Sequence, residues 1–199
     1  MLFAIEIAIL HDRWTGEWHA ELPEAVDESG NDFVQTVLAN HLANFNIWHA
    51  EDGARLPEAS DHHVARAKRT IDRENQRRND FAELCDTILL DYLERDHMLN
   101  PGAELHTETP GLMIDRLSIL SLKLFHTAEE VYRADAPRGH AARNRERHQI
   151  LIEQRDDLVK GLDRVWQQVL AGQRRFKQYR QLKMYNDPTL NPVLYMQHG

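Results

Sequence analysis

The stretch VARAKRTIDRENQRRNDFAELCDTILLDY, Val64 to Tyr92, decides the fold. Taken at heptad spacing, Val64, Ile71, Arg78, Cys85 and Tyr92 alternate with Lys68, Asn75, Ala82 and Leu89 down one side of a helix. Small and apolar residues recur every three or four positions only on that side, so it is the side expected to be buried. Asn75 and Arg78 sit in the middle of it. An amide and a guanidinium are costly to bury unpaired, so a polar partner is expected inside the bundle, and that partner decides what the interior can do.

The rest of the chain reads as helix on either side of this stretch. A first helix is expected from the N-terminus to near Trp14, with an interruption at Thr15-Gly16 and a resumption through Trp18 and His19, and LPEAVDESG reads as a loop. A second runs from Asp32 to about Arg55 and buries Val34, Leu38, Phe45 and Trp48; Ser60 or Asp61 then caps the long third helix, which ends near Asn100-Pro101-Gly102. Thr109 and Pro110 have the residue types of an N-cap and first helical position. The following GLMIDRLSILSLKLFH is apolar almost all round, as befits a central helix. A fifth helix from about Ala141 to Ala171 is bent by Gly172 into a basic sixth, before the tail NDPTLNP. The expectation is an all-α bundle of about six helices in one domain, residues 1–199, with no strand.

Composition narrows the function classes. The single cysteine, Cys85, leaves no internal disulfide or cysteine-based zinc site, and suits a reducing cytoplasm. The opening MLFAIEIAIL lacks a basic flank and carries Glu6, so it reads as a buried helix and not as a leader or spanning segment. The net charge is −8, yet Arg164 to Asn186 holds six basic residues and no acidic one, which leaves −14 on the remainder. An acidic body disfavours nucleic acid; the basic segment suits an anionic ligand, an acidic protein partner or the acidic body itself.

Shifting the chain by 77 positions superimposes its middle on itself: His49 falls on His126, His63 on His140, Arg66 on Arg143, Arg78 on Arg155, Asp80 on Asp157 and Asp86 on Asp163. Two helical hairpins related by a pseudo-twofold axis would then form the core. Arg78 and Arg155 would occupy equivalent interior positions, and so would two pairs at i,i+3 spacing, His49 with Asp52 and His126 with Glu129.

Three readings of this constellation stay open. His49, Asp52, His126 and Glu129 form a symmetric ligand set suited to zinc, iron or manganese. Alternatively Arg78 and Arg155, helped by Asn75 and by Arg116 or Lys123, clamp a small phosphate or carboxylate, with His49 or His126 as acid or base and an adjacent carboxylate fixing its tautomer. The third reading is a structural network in which Arg78 pairs with Asp52 or Asp115. HExxH, GxxxxGK[ST] and GxGxxG are all missing from the sequence, which argues against metalloprotease and nucleotide-loop chemistry.

The blocks NFNIWHAEDGAR (44–55), KRTIDRENQRRND (68–80), ETPGLMIDRLSILSLKLFHT (108–127) and KMYNDPTLNP (183–192) resemble those of a bacterial all-helical family of unknown function, sometimes encoded near lipopolysaccharide heptosyltransferases. The resemblance implies a link to cell-envelope sugar metabolism and no known reaction. It also implies that Trp48, His49, Glu51, Asp52, Arg55, Asp72, Asn75, Gln76, Arg78, Asn79 and Asp80 are hallmark positions. The functional expectation is a binder of a small anionic molecule, such as a sugar phosphate or carboxylate, with histidine–carboxylate acid–base chemistry if it is an enzyme. Its acid–base and metal candidates are His49, Asp52, His126 and Glu129; its ligand contacts are Trp48, Arg55, Asp72, Asn75, Arg78, Asp115 and Arg155. The alternative is a helical adaptor whose basic segment docks an acidic partner such as a cell-envelope glycosyltransferase. A protein partner or homo-oligomer fits either reading; membrane insertion is not expected.

Overall fold

Three helix starts fall where a polar side chain takes up a free backbone N–H group. Asp32 Oδ1 accepts from the Gln35 amide at 2.9 Å, Ser60 Oγ from His63 at 3.2 Å, and Thr109 Oγ1 from Leu112 at 3.3 Å with Pro110 in the first turn. Glu6 reaches back to the Phe3 amide at 2.8 Å. The computed structural model describes residues 3–21, 32–180 and 190; the expected loop at 22–30 and most of the tail lie outside them.

Five helices are present among the described residues: α1 Ala4–Ala20, α2 Phe33–Ala54, α3 Asp61–Arg95, α4 Pro110–Tyr132 and α5 His140–Leu170. The fold is all-helical apart from one short parallel pair, β1 (Glu104–Leu105) with β2 (Arg174–Arg175), in which Glu104 lies opposite Arg174 and Leu105 opposite Arg175. α2 packs on α3, α4 on α5, and α1 lies chiefly on α4. Ile7, Val37, Cys85, Leu89, Leu93, Ile114, Leu117, Leu158, Leu162 and Val165 make the main core. A second cluster, Trp18, Leu42, Phe45 and Leu122, lies under Trp14 and Trp48 and holds the far end of α1 onto α2 and α4.

Two expectations are corrected here. α1 runs unbroken through Thr15 and Gly16, because Thr15 and Trp18 are buried and their packing outweighs the roughly 1 kcal/mol that a helical glycine costs. The sixth helix does not begin at Gly172. That glycine takes φ +67 at the end of α5, and the chain turns so that Arg174 and Arg175 pair with β1. Arg175 Nε donates to the Ala103 carbonyl at 3.0 Å and Arg174 approaches Glu104 at 3.5 Å, so these two basic residues are turned onto the chain itself.

The buried stripe of α3 also differs from the heptad reading at its first turns. Ile71, Ala82, Cys85 and Leu89 are buried as expected, but Val64 and Lys68 are exposed because α3 extends there beyond the core. Among the described residues no helix is long and apolar enough to cross a membrane.

Candidate metal centre

The unbroken course of α1 carries His19 into the bundle. Its Nδ1 lies 2.6 Å from the carbonyl oxygen of Thr15, one turn earlier. A carbonyl only accepts, so Nδ1 holds the proton and Nε2 keeps its lone pair. His126 on α4 repeats the arrangement with a carboxylate: its Nδ1 is 2.9 Å from Glu129 Oε2. In both rings Nε2 is sealed from solvent and has no hydrogen-bond partner among the described residues. His49 on α2 is the third member, and one ring nitrogen from each of the three histidines lies within 4.8 Å of the others.

The rings meet edge to face. Centroids are 5.0 Å apart for His19 and His49, 4.9 Å for His19 and His126, and 5.7 Å for His49 and His126, with interplanar angles of 64°, 70° and 75°. Aromatic neighbours hold them there: Phe125 stacks on His19 at 4.1 Å, and Trp48 lies on His126 at 4.7 Å. Burial, reinforced by the other imidazoles, lowers the pKa of His49 below the usual histidine value. Burial lowers that of His126 too, against the opposing pull of its Glu129 hydrogen bond. Neutral imidazole is the form that ligates a metal, so both shifts favour it near pH 7.

Of the expected set, His49 and His126 lie with their ring centroids 5.7 Å apart. Glu129 is turned to the Nδ1 of His126. Asp52 is exposed, yet its charge is felt by both His49 and His126. The third convergent residue, His19, is one the sequence reading placed past a helix break and did not nominate.

The two arginines are each held by a different carboxylate. Arg78 grips Asp115 with both prongs, Nε to Oδ1 at 2.8 Å and Nη2 to Oδ2 at 2.6 Å. The buried Asp115 also accepts from Asn40 at 3.1 Å and Asn44 at 2.9 Å, and the network continues through Ser118 and His41 to Thr15. Arg155 instead bonds Asp12 of α1 at 2.7 Å. Elsewhere Arg55 pairs with Glu51 at 2.8 Å on the surface, Asp72 pairs with Lys68, and Asn75 is half-buried on α3. Beside the histidines, a cleft of about 440 Å³ is lined by Trp48 and His126 themselves and, from α4 and α5, by residues including Lys123, Glu130, Arg147 and Ile150.

A family model described as "Protein of unknown function (DUF4254)" matches residues 34–178. The chain belongs to this family. His49 and His126 fall inside the DUF4254 match and His19 before it. No curated protein and no solved structure matches the chain.

Proposed function

We propose that His19, His49 and His126 hold one divalent transition-metal ion, and that this member of the DUF4254 family is an enzyme acting there on a small anionic molecule. The observation that carries the reading is the pair of sealed, unpartnered Nε2 atoms on His19 and His126, two rings of a three-histidine cluster that includes His49. A buried polar atom without a partner costs about 1–3 kcal/mol, and a shared ion would satisfy two such atoms at once. The Nδ1 contacts to a backbone carbonyl and a carboxylate are those that fix the tautomer of metal-ligating histidines.

Three imidazoles suit zinc, iron(II) or a neighbouring first-row ion, and three protein ligands leave a coordination position open for chemistry. An ion so held supplies a Lewis acid that polarises a ligand oxygen. Asp52, exposed and one helical turn from His49, is placed to take a proton from water or ligand, and Glu129 keeps His126 in its ligating tautomer. The cleft beside His126 provides the seat for the ligand. Lys123 and Arg147 favour an anion there, a role that the carboxylate-bound Arg78 and Arg155 fill poorly.

Metal analysis of untagged protein tests the reading. After loading with zinc and gel filtration, the wild type should retain about one ion per chain and the His49→Ala, His126→Ala double variant almost none. Equal retention by both, or far less than one ion in the wild type, removes the proposal.

A further inference from the structure

The polar groups of the 440 Å³ cleft beside His126 divide into those already engaged and those that are open. Glu130 is engaged: its carboxylate lies 2.6 Å from His140 Nε2 and 3.1 Å from Arg133 Nη1. Thr127 Oγ1 donates to the Lys123 carbonyl. Asn144, only 4% exposed, donates to the His140 carbonyl and accepts from Arg147, each at 3.2 Å. Lys123 and Arg147 are exposed, and neither has an acidic partner among the described residues. The cleft therefore carries two open cations, while its one carboxylate is held by other cationic or imidazole side chains.

Most of the surface that the cleft offers is apolar, and Trp48, Ile150 and Leu151 line it. Ile150 is 47% exposed, so a guest can reach it. Of the amide and hydroxyl side chains in the wall, Gln154 is the one with no bond inside the chain among the described residues. A hydroxyl-rich body seated here would give up water and find few neutral partners, which is unfavourable. An apolar body gains from covering the isoleucine and leucine side chains, and a flat one can lie along the indole.

We propose that the molecule taken by this cleft is an amphipathic anion and not a sugar phosphate. Lys123 and Arg147 hold one phosphate or carboxylate headgroup, and an aromatic or branched aliphatic body covers Trp48, Ile150 and Leu151. This names the chemical class of the anion in the proposed function and rests on that reading for the cleft as its seat. It does not require the histidines to hold a metal.

The test is calorimetric titration of the full chain, both metal-free and zinc-loaded, with matched probes. 1-Naphthyl phosphate and 1-naphthoate represent the amphipathic class and distinguish the two headgroups. D-Glucose 6-phosphate and D-gluconate represent hydroxyl-rich anions, inorganic phosphate the headgroup alone, and 1-naphthol the body alone. In at least one form of the chain a naphthyl anion should bind saturably at 1:1, at least tenfold more tightly than each of the other four probes. That affinity should fall at least fivefold in Arg147→Gln and in Ile150→Ser, both exposed positions, and stay within twofold in Arg116→Gln, a cation on α4 outside the cleft. The proposal is overturned if neither naphthyl anion saturates, if glucose 6-phosphate, gluconate, phosphate or naphthol binds as tightly, or if both cleft variants bind like the wild type. Zinc retention measured on the same preparations keeps the two readings apart. A naphthyl anion bound in the cleft by a chain that retains no zinc upholds this proposal without the metal centre, and a zinc-retaining chain that prefers glucose 6-phosphate overturns it and leaves the metal centre standing.

Discussion

The imidazole of His126 lies flat on the indole of Trp48, centroids 4.7 Å apart and planes only 4° from parallel. The stack fixes the plane of the ring, and the hydrogen bond to Glu129 fixes its rotation, so Nε2 has one direction in which to point. Glu129→Ala should therefore leave the helix content unchanged, since the side chain is largely exposed, but weaken metal binding by about 10–100-fold. Glu129→Gln, which keeps an acceptor, should fall between. Competition with a chromophoric chelator measures both.

Removing Arg78 should act on stability and not on the proposed centre. Arg78→Ala leaves the Asp115 carboxylate, 4% exposed, without its bidentate partner, and breaking a buried pair from one side costs about 3–5 kcal/mol. Urea unfolding should show that loss while metal stoichiometry stays at the wild-type value. Arg155→Ala breaks a more exposed pair and should cost about 1 kcal/mol or less.

His11 and His41 set a pH dependence. His11 is fully buried with neither ring nitrogen partnered among the described residues, and burial pushes its pKa down to about 3; burial followed by the neighbouring His11 lowers His41 well below the usual value too. Between the unfolded value of 6.5 and the depressed folded one, only the unfolded chain takes up these protons. Stability from these two groups is therefore present above pH 6.5 and is lost as the pH falls. Asp86 works in the other direction: burial raises its pKa to about 6, so its contribution is lost as the pH rises from about 4 through 6. Two histidines against one aspartate leave a net loss toward acid. His11→Leu should flatten that slope and raise the melting temperature at pH 5, as denaturation scans at pH 5 and 7 would reveal.

Gly111 is needed for a close approach. A Cβ built there would stand 2.2 Å from the Ala82 carbonyl oxygen and 3.0 Å from Asp86 Cγ, where the Gly111 amide donates to Asp86 Oδ1 at 2.7 Å. Gly111→Ala should separate the start of α4 from α3 and destabilise the fold by about 1–3 kcal/mol, measurable by denaturant titration.

Much of this architecture is written in the chain. The starts of α2, α3 and α4 follow from Asp32, Ser60 and Thr109, and Asp115 was one of the two partners that the polar stripe of α3 suggested for Arg78. The repeat was less informative about contacts. Two positions paired by the 77-residue offset have different surroundings, because α1 supplies Asp12 to Arg155 while Arg78 meets α4. His19 was hidden for a local reason: Thr15-Gly16 has the composition of a break, and tertiary packing overrides it. The signal that could have exposed His19 is the run Ile7, His11, Thr15 and Trp18, whose spacing keeps one helical face going through the glycine.

The central claim is that three histidines, not a symmetric pair of histidine–carboxylate turns, make the centre, and His19 is the residue that separates the two. Titration of metal-free protein with cobalt(II), read by its visible d–d absorption, tests this most directly. One equivalent should produce a saturating spectrum in the wild type that is lost or weakened at least a hundredfold in His19→Ala. Wild-type affinity and spectrum in His19→Ala, or no saturable spectrum in the wild type, would contradict the account.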